Sequence, residues 1–242
     1  MQHVPYPRHE GKLVILLGGE AEHLRRTYLE EHAARLAAIS GVQEYRANIK
    51  AAPDPNDPTA VTNGTDPYGV LAIDEIKGAS PQFSWKDVEA LYRQAEAEGF
   101  RLIGAYSVTE YMVRELYTCR PTGIRSPEVK RIALLTRPEG KSHADAMQYW
   151  ITQHPLFCFR HHTGMAAYSQ NHINQRLTPD SPELDGFPIL SYWNADAFRY
   201  GHFSREDTKD LMMEDCRGFR STSFVVSVEE YVMKRPLNWR ER

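Results

Sequence analysis

The spacing of hydrophobic residues along this chain alternates between strand-like and helical patterns. Residues 13–17 and 132–135 are short apolar runs, which predict two buried strands. In residues 20–39 an apolar or aromatic side chain recurs at every fourth position, which predicts a helix with one buried face. Residues 142–153 carry a similar stripe. Because the residue before a proline avoids helical geometry, we expect this helix to end just before Pro155.

Further strands and helices complete the pattern. The sequence predicts strands near residues 42–50, 69–76, 101–111, 164–174, 187–193 and 222–231. Two more helices are expected at 84–98 and 204–217, with Ser84 and Ser204 as N-caps and an aspartate three residues later as a capping box. The order β-α-β-β-α-β therefore occurs twice, which is the plan of ferredoxin-like domains.

The two sets of elements are related by a nearly constant offset. The motif S-x-x-D-x-x-x-L begins at Ser84 and again at Ser204, which is 120 positions later (204 − 84). The motif G-x-x-x-Y-x-x-N begins at Gly41 and again at Gly164, which is 123 positions later (164 − 41). Further matches keep the same order, so we interpret the chain as a tandem duplication.

The duplication predicts an α+β fold in which two ferredoxin-like repeats, residues 12–113 and 129–233, form one barrel within the chain. A four-stranded sheet with both helices on one side leaves its other face uncovered, and two copies can cover each other. The interior of such a barrel can hold one small ligand. Aromatic residues of the second half fall on predicted strands and would line it or simply fill it: Tyr168, Phe187, Tyr192, Trp193, Phe224 and Tyr231.

Segments rich in proline, glycine and polar residues interrupt this pattern. They predict long loops at residues 51–67 and 176–188, at matching positions of the two halves, and a linker over 112–127. Long loops at matching positions are often functional, although they can also be surface decoration.

Composition narrows the class of protein without identifying it. The chain has 242 residues, of which 25% are charged and 41% hydrophobic, and its formal net charge is −3. This balance gives no general attraction to nucleic acid or to anionic membranes. Cys119, Cys158 and Cys216 are widely spaced and form no metal-binding or disulfide pattern. With no signal-like or membrane-spanning apolar segment, we expect a cytoplasmic protein without nucleic-acid or membrane partners.

Motifs in the second half occur together in a recognisable order. They are W-x-x-x-H-P from Trp150, a glycine–tyrosine strand at 164–168, D-G-F from Asp185 and an ending that comprises Asp215, Phe219 and residues 225–230. On these residues, positions 129–233 resemble the EthD family of the dimeric α/β-barrel superfamily. The first half resembles a degenerate copy, in which Tyr28 replaces the tryptophan and no proline follows His32.

The resemblance implies a protein without cofactor or bound metal that acts on hydrophobic small molecules. Relatives include dehydratases and cyclases of aromatic polyketides, so we expect a lyase that uses acid–base chemistry on an aromatic or polyketide-like substrate. A cofactor-free or haem-dependent monooxygenase is one alternative, since the superfamily contains both. A non-catalytic small-molecule-binding or stress protein is another. Further association into a homodimer through exposed sheet edges is also expected.

Three residues of the second half are the candidate catalytic groups: His154, Tyr168 and His172. An imidazole exchanges protons near neutral pH, and Tyr168 and His172 lie four apart on one strand and so point to the same face. Structural alternatives are a helix-capping role for His154 and a solvent-facing, strand-end His172. The candidate substrate-binding residues are Trp150, Gln170, Trp193 and Phe224. The run Arg160-His161-His162 has no metal-ligand spacing, and we expect it to form a polar surface turn.

Overall fold

The computed structural model describes residues 6–60, 66–116 and 121–235. Within them, eight antiparallel strands close into one barrel, in the order β1-β3-β2-β8-β5-β7-β6-β4. The strands are β1 (Arg8–Gly19), β2 (Val42–Lys50), β3 (Ala72–Gly78), β4 (Phe100–Arg114), β5 (Val129–Thr136), β6 (Met165–Arg176), β7 (Gly186–Tyr192) and β8 (Thr222–Lys234). Cys119 and parts of the predicted loop 51–67 and linker 112–127 lie outside the described residues.

The helices pack on the outer surface of this barrel. They are α1 (Ala21–Thr27), a π-helical segment (Tyr28–Ala33), α2 (Ala34–Ala38), a 3₁₀ turn (Trp85–Asp87), α3 (Glu89–Ala97), α4 (His143–Thr152), α5 (His154–His161), α6 (Ala195–Gly201) and α7 (Thr208–Cys216). In the described part of the chain, none of them is long and apolar enough to cross a membrane. The structure thus confirms an α+β barrel.

Each half of the chain supplies four neighbouring strands in the same internal order. The first half forms β4-β1-β3-β2 and the second forms β8-β5-β7-β6. The halves meet where β2 pairs with β8, with Asn48 opposite Glu230, and where β4 pairs with β6, with Thr109 opposite His172. Every strand therefore has two partners, so the expected dimerisation through exposed sheet edges finds no free edge in the barrel.

Alternation along the strands separates two hydrophobic layers. On β1, Val14 and Leu16 point into the barrel, whereas Leu13, Ile15 and Leu17 point outward beneath the first-half helices. Both faces are buried, which is why this strand reads as one continuous apolar run rather than as an alternating pattern.

The barrel interior is filled, contrary to the expectation of a ligand cavity inside it. An apolar cluster that includes Phe187 and residues from both halves occupies one part of the interior. The other aromatics are distributed differently: Tyr168 and Tyr192 lie beneath the second-half helices, Tyr231 packs in the first-half helix layer, and Trp193 is on the surface. Alternation on the twisted strands sends these side chains to different faces.

A network of buried ion pairs occupies the rest of the interior. The ammonium of Lys12 lies 2.6 Å from carboxylate oxygens of both Glu75 and Glu110. The ammonium of Lys130 lies 2.5 Å from Glu75 and also binds Glu230. Because Glu75 belongs to the first half and Lys130 to the second, this network joins the two halves inside the barrel.

Pairing determines the charge state of these carboxylates. Burial alone would raise the pKa of Glu110, but Lys12 and Lys77 lower it to about 2. Burial would likewise raise the pKa of Glu230, but Lys130 and Arg46 lower it to about 2. Both side chains are therefore ionised at neutral pH, and each is compensated by a cation within hydrogen-bonding distance.

The predicted helix boundaries are right in the first half and partly wrong in the second. The capping box of Ser84 and Asp87 is present, with the Ser84 N–H donating to Asp87 Oδ2 at 2.7 Å. Ser204 does not cap a helix, since α7 begins only at Thr208. Pro155 ends α4 as expected but also starts α5, because proline is well tolerated in the first turn of a helix. The sequence pattern missed α5 and α6.

The interior ion pairs predict an asymmetric response to mutation. Replacing Lys130 by Met leaves Glu75 and Glu230 buried with one cation fewer, and should lower the free energy of unfolding by roughly 3–5 kcal/mol. The matched control, Lys86→Met, removes an exposed ammonium and should change stability by less than about 0.5 kcal/mol. Chemical denaturation measures both values. Equal, small effects would contradict a structural role for the network.

Acid should destabilise the fold through the same carboxylates. Their folded-state pKa values are depressed to about 2, so the stability they contribute is present above the unfolded-state pKa of about 4.3 and is lost as pH falls toward 2. Denaturation midpoints measured between pH 6 and pH 2 should therefore fall mainly below about pH 4.5. A Glu110→Gln variant should show a shallower dependence, and an unchanged slope would argue against this origin.

Candidate functional site

The helices of the second half enclose a cavity against the outer face of their sheet. Its volume is about 70 Å³. The sheet side is formed by Arg131, Ala133, Tyr168, Pro188, Leu190, Tyr192 and Val225, and the helical side by His154, His162, His202, Met212, Cys216, Phe219 and Arg220, with Thr59 from the first half. The cavity lies outside the barrel, between the two layers. Its walls combine apolar side chains with imidazoles, two phenols and guanidinium groups.

His154 is held at the cavity by a carboxylate. It is the first residue of α5, and its Nδ1 lies 2.5 Å from Oδ2 of Asp215 near the end of α7. This contact places the ring hydrogen on Nδ1 and leaves Nε2 as an acceptor. The thiol of Cys158, whose Sγ lies 3.2 Å away, is a weak donor to Nε2. Burial lowers the pKa of His154, with Asp215 opposing it, so the ring is a neutral base.

The hydroxyl hydrogen of Tyr168 has no hydrogen-bond acceptor among the described residues. Its oxygen accepts hydrogen bonds from Nε1 of Trp150 at 2.8 Å and from Nε2 of Gln170 at 3.1 Å. Among the described residues, no acceptor is within hydrogen-bonding distance of the phenol hydrogen, and Tyr168 lines the cavity. Burial raises the pKa of Tyr168, which keeps it protonated. It is therefore a fixed hydrogen-bond donor.

His172 shares the face of β6 with Tyr168 but lies outside the cavity. Its ring stacks on Trp150, with centroids 4.7 Å apart, and packs against Tyr111 on the other side. Its Nε2 lies 3.2 Å from Oε1 of Gln170, and Nε2 of the same glutamine donates to the hydroxyl oxygen of Tyr168. Burial lowers the pKa of His172 to about 3. The structure thus makes it a positioning residue behind Tyr168, at one remove from the cavity.

The candidate substrate-binding residues also lie away from the cavity wall. Trp150 and Gln170 are buried and act through the oxygen of Tyr168. The Trp193 side chain is 54% exposed at the surface. Phe224 points to the barrel side of β8 and packs edge-on against Tyr68, with centroids 5.9 Å apart. None of these four residues is part of the lining.

Sequence reasoning missed two histidines of the cavity. His162 was expected in a polar surface turn and is instead buried, because α5 extends to His161 and turns the next side chain inward. Its Nδ1 hydrogen bonds to the backbone oxygen of His202, so its Nε2 is free to accept. The Nδ1 of His202 pairs with the Tyr192 hydroxyl at 2.5 Å. Burial lowers the pKa of His162 to about 4, so the ring is neutral.

A close backbone contact explains how His202 reaches the cavity. The N–H of Gly164 donates to the oxygen of Gly201 at 3.1 Å. A Cβ added to Gly164 would lie only 1.9 Å from the backbone oxygen of Ala197. Only glycine allows α6 to pack this tightly on the start of β6. The glycine was visible in the sequence, but its helical partner α6 was not predicted.

Donor-atom spacing and cavity volume show whether these residues fit a metal ion or a prosthetic group. Donor atoms of His154, Asp215 and Cys216 lie within 4.8 Å of one another. The imidazole and carboxylate, however, are separated by only 2.5 Å, whereas two ligands of one zinc ion stand roughly 3.3 Å apart. This spacing is that of a hydrogen bond. A cavity of about 70 Å³ is also far below the ~300–1,000 Å³ of ligand sites, so a haem does not fit.

The thiols near His154 are not activated nucleophiles. Burial raises the pKa of Cys158 well above its usual value and that of Cys216 to about 11. Both therefore remain protonated at neutral pH, and the thiol rather than the thiolate faces the imidazole. Proton transfer by His154 is the chemistry that this arrangement supports.

Known proteins share the architecture but little sequence. No family model matches the chain, and no curated protein matches it. An anthrone oxidase-like protein is similar in structure, with a TM-score of 0.59 and 9% identity over 97% of this chain and 100% of that one. A "putative monooxygenase" of Lactobacillus acidophilus has a TM-score of 0.50 at 10% identity, over 93% and 98% of the two chains. The chain shares the closed α+β barrel fold of these proteins. The narrower resemblance to the EthD family stays a prediction.

In this α/β barrel, the first half is filled where the second half is hollow. Asp74 is buried beneath the first-half helices and accepts hydrogen bonds from Tyr28, from Tyr45 at 2.7 Å and from Tyr92 at 2.7 Å. His32 lies 3.3 Å from the same carboxylate.

Strand pairing locates the corresponding residue of the second half. Asp74 lies opposite Ala47, two residues after Tyr45, and Pro188 lies opposite Gln170, two residues after Tyr168. Pro188 lines the cavity. The second half thus has proline where the first half has the carboxylate that binds three phenols, and a cavity lies at this position.

The Asp74 cluster should be a major source of stability in the first half. Asp74→Ala removes the shared acceptor of three phenols and an imidazole, and should cost more than about 3 kcal/mol in unfolding free energy. Asp180→Ala, at an exposed turn, is the matched control and should cost less than about 0.5 kcal/mol. Urea denaturation tests this. A small loss for Asp74→Ala would mean that the cluster is not tightly packed.

Proposed function

We propose that this protein is an enzyme that removes a proton from a small apolar molecule, with His154 as the general base and Tyr168 as the general acid. The observation that carries this proposal is that two residues line the same cavity: His154, whose imidazole is held by Asp215, and Tyr168, whose hydroxyl hydrogen has no acceptor among the described residues. Two acid–base groups of opposite function at one cavity suit an elimination. The reaction class is therefore a cofactor-independent lyase of the dehydratase or cyclase type.

The elimination can be written with these groups alone. Once the Cys158 thiol, a weak donor, rotates away from it, Nε2 of His154 takes the proton from a carbon next to a carbonyl, and the C–H electron pair forms the new carbon–carbon double bond. The hydroxide on the neighbouring carbon leaves with the proton of Tyr168 as water. Asp215 stabilises the imidazolium that forms. The N–H groups of Trp150 and Gln170 stabilise the phenolate, which regains its proton from His154 through the water produced.

Substrate entry requires the cavity wall to move. A cavity of about 150 Å³ holds benzene, so the present volume of about 70 Å³ is too small for an aromatic ring. Met212 on α7 is the side chain best suited to yield, because an unbranched thioether has many accessible rotamers. Arg131 is tethered to Asp57 at 2.6 Å and should stay in place. We expect the substrate to displace the α7 side of the wall.

Oxygenation without a cofactor is a second candidate that begins with the same step. Removal of a proton by His154 gives an enolate, and an electron-rich enolate can react directly with dioxygen. The structural similarity to an anthrone oxidase-like protein favours this alternative, although at 9% identity that similarity concerns the fold. The first half has its own imidazole–carboxylate pair in a filled cluster, so what favours an enzyme over a non-catalytic carrier is that the His154 pair lines a cavity together with Tyr168. The haem-dependent reading has no support from a cavity of this size.

Proton abstraction can be measured before the natural substrate is known. Anthrone has acidic hydrogens next to its aromatic rings, and their exchange for deuterium is followed by NMR in D₂O under nitrogen. The protein should accelerate this exchange. His154→Gln should reduce the acceleration by about 10²–10⁴-fold and Tyr168→Phe by about tenfold. His9→Gln, remote from the cavity, should leave it unchanged. Loss of exchange in His172→Gln but not in His154→Gln would refute the assignment of the base.

Two further measurements separate elimination from oxygenation. A dehydratase should convert 3-hydroxy-1-tetralone into 1-naphthol and water equally well in air and under nitrogen. An oxygenase should leave this alcohol unchanged and consume dioxygen when anthrone is supplied in air. Oxygen uptake that depends on His154, without naphthol formation, would favour the second candidate over the lyase.

A further inference from the structure

Two arginines line the cavity, and only one of them forms a salt bridge among the described residues. Nη1 of Arg131 lies 2.6 Å from Oδ2 of Asp57, and its Nη2 donates to Thr59 at 2.7 Å. Its guanidinium also lies 4.5 Å from the ring centre of Phe198. Arg131 is thus fully occupied by the protein. Arg220, by contrast, makes no salt bridge with any carboxylate of the residues that the structure describes, although it lines the cavity and is partly buried.

The nearest acidic group at this end of the cavity is already engaged. Asp215 accepts the hydrogen bond from His154 and another from the Tyr149 hydroxyl at 3.1 Å. The Arg220 side chain hydrogen bonds to the protonated thiol of Cys216, and the other ionisable groups of the lining are neutral imidazoles, phenols and the guanidinium of Arg131. Arg220 adds to the lowering of the pKa of His154, His162 and His202, after the larger effect of burial. The positive charge is therefore felt across the cavity and has no ion-pair partner there.

We infer that Arg220 is the binding site for an oxyanion of the substrate, either a carboxylate or an ionised phenol or enol on an aromatic molecule. This inference rests on the proposed function and names the class of substrate that its cavity accepts. A guanidinium offers paired N–H donors in one plane, which match the two oxygens of a carboxylate or the single oxygen of a phenolate. A partly buried cation without a counter-ion is costly, and a bound oxyanion compensates it.

The position of Arg220 suits the chemistry at His154. Its backbone N–H donates to the Cys216 oxygen at 2.8 Å, which fixes it one turn beyond Cys216. Arg220, His154 and Tyr168 line the same cavity, so a substrate that displaces the α7 side of the wall would contact all three. When His154 removes a proton next to a carbonyl, negative charge develops on the carbonyl oxygen. A guanidinium placed at that oxygen stabilises the charge. Arg220 therefore selects the substrate and assists the step.

Binding of paired probes tests this inference directly. Benzoate and 4-nitrophenolate are the oxyanions, and benzamide and nitrobenzene are neutral molecules of nearly the same shape. Titration calorimetry on the full chain should show the oxyanion of at least one pair binding about tenfold or more tightly than its neutral counterpart. The pair that shows the preference identifies the kind of oxyanion. Absence of preference in both pairs, or no binding of either oxyanion at millimolar concentration, overturns the inference.

Three variants assign the preference to one side chain. Arg220→Met should abolish it, whereas Arg217→Gln, which removes an exposed arginine three residues away, should preserve it. Arg220→Lys keeps the charge and should retain part of the preference, which also shows that the site still folds. A preference that survives in Arg220→Met, or that disappears in Arg217→Gln, would place the oxyanion elsewhere.

The inference and the proposed function fail separately. If His154→Gln loses proton exchange while Arg220→Met changes the binding of neither benzoate nor 4-nitrophenolate, the base is correct and the anion site is wrong. If Arg220→Met loses the oxyanion preference while His154→Gln exchanges anthrone protons normally, the anion site stands and the proposed base is wrong.

Discussion

The closed barrel depends on compensating charge in its interior. Lys12 and Lys130 place ammonium groups inside a space that is otherwise apolar, and Glu75 accepts from both of them. Isolated charges would not be tolerated there, so each lysine requires its carboxylates and each carboxylate its lysine. Because the partners come from both halves, the network also specifies how the halves meet. The same network and the apolar cluster beside it exclude a ligand from the interior.

The proposed functional site therefore lies in the layer between the sheet and the helices. The first half closes this layer with Asp74 and its three phenol donors, whereas the second half has Pro188 at the matching strand position and keeps a cavity. The histidine and tyrosine positions that both halves share, His154 and Tyr168 in the second, acquire different partners. In the first half, His32 and Tyr45 both bind the carboxylate of Asp74. In the second half, His154 keeps an unprotonated Nε2, and the hydroxyl hydrogen of Tyr168 has no acceptor among the described residues. Among the described residues, we propose that this second pair of side chains exchanges protons with a ligand.

Some cavity residues carried a signal in the sequence and others did not. His154 and Tyr168 could be selected because they stand in motifs that recur in both halves. His172 was selected by the same strand alternation, but alternation gives only the face of the sheet. The stacking of His172 on Trp150 keeps His172 away from the cavity, and this contact cannot be read from strand alternation. Asp215 stands in the family-like ending of the second half, but its pairing with His154 was not predicted. Arg220 lies in the turn after α7, where no periodic pattern distinguishes it from a surface charge.

The sequence by itself determined the α+β barrel, since hydrophobic periodicity and the caps at residues such as Ser84 are local properties of the chain. It also indicated a second half with acid–base residues. Only the tertiary structure decided that the barrel interior is filled and that the cavity lies under the helices. It also decided that His162, His202 and Arg220 converge with His154. Burial, hydrogen bonding and charge compensation between residues far apart in sequence depend on three-dimensional distances, and no linear pattern encodes those distances.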